Sequence, residues 1–131
     1  VDQPKALLLE NIDPVAVELL GAAGYTVETA RGALDEDDLV AALDGVSLLG
    51  IRSKTQVTAE VVRARPELVA VGAFCIGTNQ IDLRAAASTG IAVFNAPFSN
   101  TRSVVELAIA EIISLARRLV DRDRALHAGV W

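Results

Sequence analysis

The sequence predicts an α/β fold: a parallel, doubly wound sheet of five strands with helices on both faces. Two observations carry that prediction. Short continuous apolar runs recur along the chain, as expected of strands covered on both sides. Between them lie helical stripes, each opened by a residue suited to capping free backbone amides. Strand and helix alternating at such short spacing imply a parallel sheet joined by right-handed crossovers.

The elements follow in order. Lys5-Ala6-Leu7-Leu8-Leu9-Glu10 is the first strand, and Asp13-Pro14 opens a helix carrying Val15, Leu19 and Leu20 on one stripe. Gly21 or Gly24 ends that helix, and the alternating, β-branched Tyr25 to Thr29 reads as the second strand. Asp35 caps the next helix, with Leu34 and Leu39 placed as a hydrophobic staple around it. Val46 to Ile51 is the third strand, and Thr58 caps a helix that stops before Pro66. Leu68 to Val71 is the fourth strand, Leu83 to Ser88 a short helix ending at Gly90, and Ile91 to Phe94 the fifth strand. From 102 to about 120 a long helix is expected. Val104, Val105, Leu107, Ile109, Ile112 and Ile113 surround most of it, so it expects burial on nearly all sides. Asp121-Arg122-Asp123-Arg124 then reads as the start of a polar tail.

Bulk properties bound the function classes. A chain of 131 residues with 52% hydrophobic content suits one compact domain with a real core. Its net charge is -5 and its basic residues are scattered, which argues against a nucleic-acid partner. No apolar run reaches membrane-spanning length. The leading Val1-Asp2-Gln3-Pro4-Lys5 lacks the basic and apolar regions of a signal peptide. A single cysteine, Cys75, cannot form an internal disulfide, so a reducing cytoplasm is the expected location.

In open parallel sheets, ligands sit beyond the carboxyl ends of the strands. The segments to inspect are therefore Glu10 to Asp13, Arg31-Gly32, Arg52 to Thr55, Phe74 to Asn79 and Asn95 to Thr101. Arg52-Ser53-Lys54-Thr55 offers two cations and two hydroxyls; Arg can fork to a carboxylate or phosphate. A solvated loop ending in a helix cap explains the same residues. Gly77, in the loop after the fourth strand, lets backbone amides approach an anion, although this loop is no dinucleotide fingerprint. Cys75 shows no base nearby in sequence and reads as a buried, inert thiol. Asn100, Thr101 or Ser103 can cap the long helix, with Ser103 and Glu106 spaced as a capping box. Asn100 and the first helical amides are equally suited to an anionic substrate. The acids from Asp35 to Asp38 lack calcium-loop spacing, and no metal site is expected. His127, the only histidine, reads as a surface residue of the polar tail.

Three strings then fit together: Gly50-Ile51-Arg52-Ser53-Lys54-Thr55, Val71-Gly72-Ala73-Phe74-Cys75-Ile76-Gly77-Thr78-Asn79-Gln80-Ile81-Asp82, and Phe94 through Glu106. They resemble the D-2-hydroxyacid dehydrogenase family. The last two are close to its phosphoglycerate branch, which begins serine synthesis. His127-Ala128-Gly129-Val130-Trp131 looks like the stretch just ahead of that family's dinucleotide fingerprint. The resemblance implies a flavodoxin-like substrate-binding domain over residues 1–99. Residues 100–131 would be a hinge, an interdomain and dimerisation helix, and the start of an NAD-binding domain. It also implies that Arg52 and Ser53 contact the substrate anion and that Ile76 and Gly77 lie over substrate and nicotinamide. Asn100 would be a polar substrate contact at the hinge.

The family's phosphate loop, ribose-binding acid and catalytic Arg, Glu and His would all lie beyond Trp131. The expectation is a substrate half-site without catalytic residues, inactive by itself, from an NAD enzyme acting on a small phosphorylated hydroxy or keto acid. Its exposed apolar helix from 102 to 120 is expected to self-associate, making a homo-oligomer. The competing reading is a free-standing signalling or binding module of receiver type. That chemistry needs an Asp after the third strand and a Lys after the fifth, where this chain has Arg52 and Asn95-Ala96-Pro97.

Overall fold

The computed structural model describes residues 3–131; Val1 and Asp2, part of the stretch read for a signal peptide, lie outside the described residues. The chain forms two compact units, Val1–Pro97 and Phe98–Trp131. The first unit holds strands β1 (Lys5–Leu8), β2 (Thr26–Thr29), β3 (Val46–Ile51), β4 (Ala70–Ala73) and β5 (Ala92–Asn95). Its helices are α1 (Pro14–Ala22), α2 (Glu36–Ala42), α3 (Ala59–Ala64) and α4 (Leu83–Thr89). All pairings are parallel and the strand order is β2-β1-β3-β4-β5. The chain leaves β1 in one direction toward β2 and then crosses to the other side for β3. The loops after β1 and β3 therefore diverge and leave a crevice between them.

Side chains alternate across the sheet. Leu7, Leu49, Ile51 and Val71 point to one face, where Leu39, Val61, Val62 and Ala86 from α2, α3 and α4 complete the core. On the opposite face Leu20 of α1 meets Leu8 and Leu48, lining an apolar cavity of about 250 Å³. The Phe74 ring folds back over this face above Gly50 and Gly72. A Cβ on Gly50 would stand 2.5 Å from Leu8 Cδ2 and 3.1 Å from both Ile12 Cδ1 and Phe74 Cε2, so a larger residue there has to displace the Leu8 side chain.

The expected caps form. Asp13 Oδ1 accepts from Val15 N at 2.9 Å, Asp35 Oδ1 from Asp38 N at 3.1 Å, and Thr58 Oγ1 from Val61 N at 3.3 Å. Three strands start later than their apolar runs. Tyr25 N donates to Leu20 O, closing α1 around Gly24 (φ 92°). Ile91 N donates to Ala86 O, closing α4 around Gly90 (φ 79°). Leu68 N donates to Arg65 O in a turn, so β4 begins at Ala70 rather than Leu68 and continues past Val71 through Gly72 and Ala73. In each case an apolar residue is used to close the preceding turn before the ladder begins.

The second unit corrects the reading of one helix running to about residue 120. Helix α5 spans Thr101–Ala116 and α6 spans Leu119–His127. Between them Arg118 takes a left-handed conformation (φ 51°), its N donating to Leu115 O. Such a conformation costs a non-glycine residue about 1–2 kcal/mol. Here Arg118 Nε pairs with Asp121 Oδ2 at 3.1 Å, in the first turn of α6. The Asp121-to-Arg124 run is thus helical rather than a tail, and His127 ends α6, exposed, with Nδ1 2.9 Å from Asp123 O. The expected capping box does not form. Asn100 is the N-cap without a side-chain bond, Ser103 lies inside the first turn, and Glu106 Oε1 pairs with Arg102 Nε at 2.6 Å.

Candidate functional site

The site is built on a sharp turn after β1. Glu10 and Asn11 are both left-handed, at φ 61° and 55°, and their amides donate to Gly32 O and Ala30 O. The turn sends the Glu10 side chain beneath the loop that follows β3. There the carboxylate accepts three backbone amides: Arg52 N at 3.1 Å, Lys54 N at 3.0 Å and Thr55 N at 2.9 Å. Glu10 is 8% exposed. Burial raises its pKa, but hydrogen bonds from Thr55, Lys54 and Arg52 together outweigh burial and hold the carboxyl below its ordinary value. The buried Thr55 hydroxyl has no partner at hydrogen-bonding geometry, yet it lies close enough to the carboxylate to help stabilise its charge.

A second buried side chain works from the other direction. Gln80, 3% exposed, donates its Nε2 to Arg52 O at 2.7 Å and reaches Gly77 O and Cys75 Sγ, each at 3.3 Å. The loop after β4 is also tied to the end of β5. Asn95 Nδ2 donates to Ile76 O at 2.8 Å and Ala96 N to Cys75 O at 3.0 Å. Cys75 is half-buried rather than buried. Its thiol lies 3.3 Å from Gly77 O and 3.5 Å from Arg52 O, with no base among these partners. A Cβ on Gly77 would stand 2.8 Å from Asn79 Oδ1, so a larger residue there has to displace the Asn79 side chain.

These anchors leave the chemistry-bearing groups outside. Arg52, Ser53 and Lys54 are exposed, and among the described residues Arg52 makes no ion pair. The amides of Ser53, Ile76 and Gly77 likewise have no partner among the described residues. Arg52 and Phe74 wall a cavity of about 460 Å³ with Asn11, Ile12, Asp13 and Pro14, at the crevice between the ends of β1 and β3. Arg52, Ser53, Ile76 and Gly77 thus share one edge of the sheet, while Asn100 belongs to the second unit as the N-cap of α5. No group of metal-ligating side chains occurs among the described residues. Glu10 stands at the start of the first strand-end segment, but nothing in the sequence shows that its carboxylate turns inward. Gln80 and Asn95 carried no sequence signal beyond adjacency to the loops.

A five-stranded parallel sheet in this order, with helices between its strands, defines a flavodoxin-like α/β fold. The chain belongs to the D-isomer specific 2-hydroxyacid dehydrogenase family, whose catalytic-domain model matches residues 6–121. It is 54% identical over 125 residues to D-3-phosphoglycerate dehydrogenase 2 of Saccharomyces cerevisiae, covering 95% of this chain and 27% of that protein. To D-3-phosphoglycerate dehydrogenase of Escherichia coli it is 50% identical over 131 residues, 99% of this chain and 32% of that protein. The chain therefore spans about a third or less of these relatives. Among solved structures, the TT0316 protein of Thermus thermophilus superimposes with a TM-score of 0.81 at 26% identity, over 97% of this chain and 41% of its own. D-lactate dehydrogenase of Aquifex aeolicus, solved with NAD and lactic acid, gives 0.74 at 20% identity, over 94% of this chain and 37% of its own, and supports the fold alone. Family membership decides against the receiver-type module.

Proposed function

We propose that this chain is the substrate-binding part of an NAD-dependent D-3-phosphoglycerate dehydrogenase, which oxidises 3-phosphoglycerate to 3-phosphohydroxypyruvate at the start of serine synthesis. One observation carries the reading. A buried carboxylate takes up three amides of the loop after β3 from beneath, and at the crevice the Arg52 guanidinium makes no ion pair among the described residues. Arg52 and Ser53 would hold an anionic group of the substrate, and the Gly77 amide a second oxygen. Asn100 would contact the substrate, and Ile76 would lie against the nicotinamide.

The first unit does not fit the cofactor's pyrophosphate. The start of α1 is closed by Asp13's own carboxylate and by Pro14, which has no N–H, while Glu10 already occupies the Arg52, Lys54 and Thr55 amides after β3. A nucleotide-binding domain elsewhere in the enzyme would supply that site, with residues 100–131 as hinge and interdomain helix. These 131 residues by themselves are not expected to turn over substrate.

The partner is a small phosphorylated hydroxy or keto acid, and α5 is the proposed surface for self-association. A cytoplasmic location fits a biosynthetic enzyme of this kind. Among the described residues no helix is long and apolar enough to cross a membrane. Arg52→Ala in the whole enzyme tests the reading. The Michaelis constant for 3-phosphoglycerate should rise by about tenfold or more, as expected for the loss of a charge-assisted hydrogen bond. Substrate kinetics unchanged from wild type would remove Arg52 from the site.

A further inference from the structure

We infer that Glu10 and Gln80 are positioning residues that act through Arg52, gripping its peptide from both ends so that its guanidinium is presented at the β1/β3 crevice. The inference rests on the reading of Arg52 as the substrate-anion contact. Arg52 sits in an exposed loop, where a long cationic side chain on a mobile backbone would lose much conformational entropy on binding. Its backbone is held nonetheless: its N–H donates to Glu10 Oε1 at 3.1 Å and its C=O accepts from Gln80 Nε2 at 2.7 Å. Both gripping side chains are buried, at 8% and 3% exposure. Each is fixed by other bonds. Glu10 also accepts from Lys54 and Thr55. Gln80 is pinned by its own backbone carbonyl, which accepts from Val57 N at 2.8 Å.

Gln80 does more than steady one loop. The same Nε2 reaches Gly77 O at 3.3 Å, so one amide group joins the loop after β3 to the loop after β4. A substrate bridging Arg52 and the Gly77 amide meets both at a set separation because one side chain bonds both backbones. The left-handed turn at Glu10 and Asn11 has the same consequence, since it directs a carboxylate from β1 beneath the neighbouring strand's loop.

A double-mutant cycle in the whole enzyme tests this against a merely stabilising role, using Arg52→Ala, Gln80→Leu and the pair, with 3-phosphoglycerate as the probe. Gln80→Leu removes the donor while keeping an apolar stem in the same space. It should raise the Michaelis constant about five- to tenfold with kcat changed much less, the scale of one or two neutral hydrogen bonds. In the Arg52→Ala background it should add distinctly less than in wild type, because only the Gly77 amide is left for it to position. If Arg52→Ala raises the constant but Gln80→Leu leaves it unchanged, or multiplies fully with Arg52→Ala, the positioning role is wrong and the site reading stands. If Arg52→Ala itself has no effect, the site reading fails and takes this inference with it. Gln80→Met, unbranched at Cβ and Cγ, replaces the leucine variant should that one not fold.

Discussion

At the scale of single residues, Glu10 is the least expected participant. An acid closing an apolar run reads as the polar end of a strand, and only the backbone turn makes it an internal anion for the next loop but one. Its carboxyl is held below the ordinary value of 4.5, so the folded chain binds that proton less readily than the unfolded chain. The stabilisation it contributes is complete above that value and fades as pH falls through the lower value of the folded state. Glu10→Gln should therefore melt lower than wild type at neutral pH, by roughly 1–3 kcal/mol of stability for amides left badly paired. The two melting curves should converge as pH drops below 4.5. Parallel curves across that range would show that Glu10 does not control the acid limb. By contrast, the role proposed for Arg52 came from its place after a strand and from the family resemblance, since by residue type alone a solvated loop explains the same residue.

At the scale of elements, the caps were legible because each is a local contract between one side chain and an amide two or three residues on. The strand starts were not, since they depend on which apolar residue closes the preceding turn. Gly50 shows the tertiary demand most clearly: it lies mid-strand, where glycine is locally unfavourable, because Leu8, Ile12 and Phe74 converge on its missing side chain. Gly50→Ala should cost about 1–3 kcal/mol by forcing Leu8 and Phe74 to shift. Urea unfolding measures this, and an unchanged midpoint would mean the Phe74 ring moves away freely. The break at Arg118 was not legible either, although the bonds seen there are local, to Leu115 O and Asp121. Neither proline nor glycine marks it, and the apolar pattern runs through it.

On the scale of the whole molecule, α5 poses the question of partners. It is apolar on nearly every side, and none of its residues is buried. Val105, Ile109, Ile112 and Ile113 stand about half or more exposed, at 49%, 52%, 66% and 53%. Burying such side chains yields roughly 1.5–3 kcal/mol each, so two copies meeting along this helix would gain more than most surface contacts offer. A two-fold dimer closes the patch on itself. Sedimentation of this chain should show concentration-dependent association, weakened when Ile109 and Ile112 are both changed to Glu. A monomer persisting at high micromolar concentration would mean that α5 is no self-association surface.

What the sequence determined by itself was set by near neighbours along the chain: the alternation of strand and helix, the three side-chain caps, the glycine that ends α4 at Gly90, and the motifs that mark the family. These are legible because their causes lie within a few residues of one another. The tertiary structure alone decided which groups meet across the fold. Glu10 and Arg52 come from adjacent strands, and Gln80 follows a third. Parallel pairing with crossovers brings such distant residues to one edge. The buried hydrogen bonds that hold the site leave no periodicity or composition in the sequence to betray them, because each needs only one polar atom at one point in space.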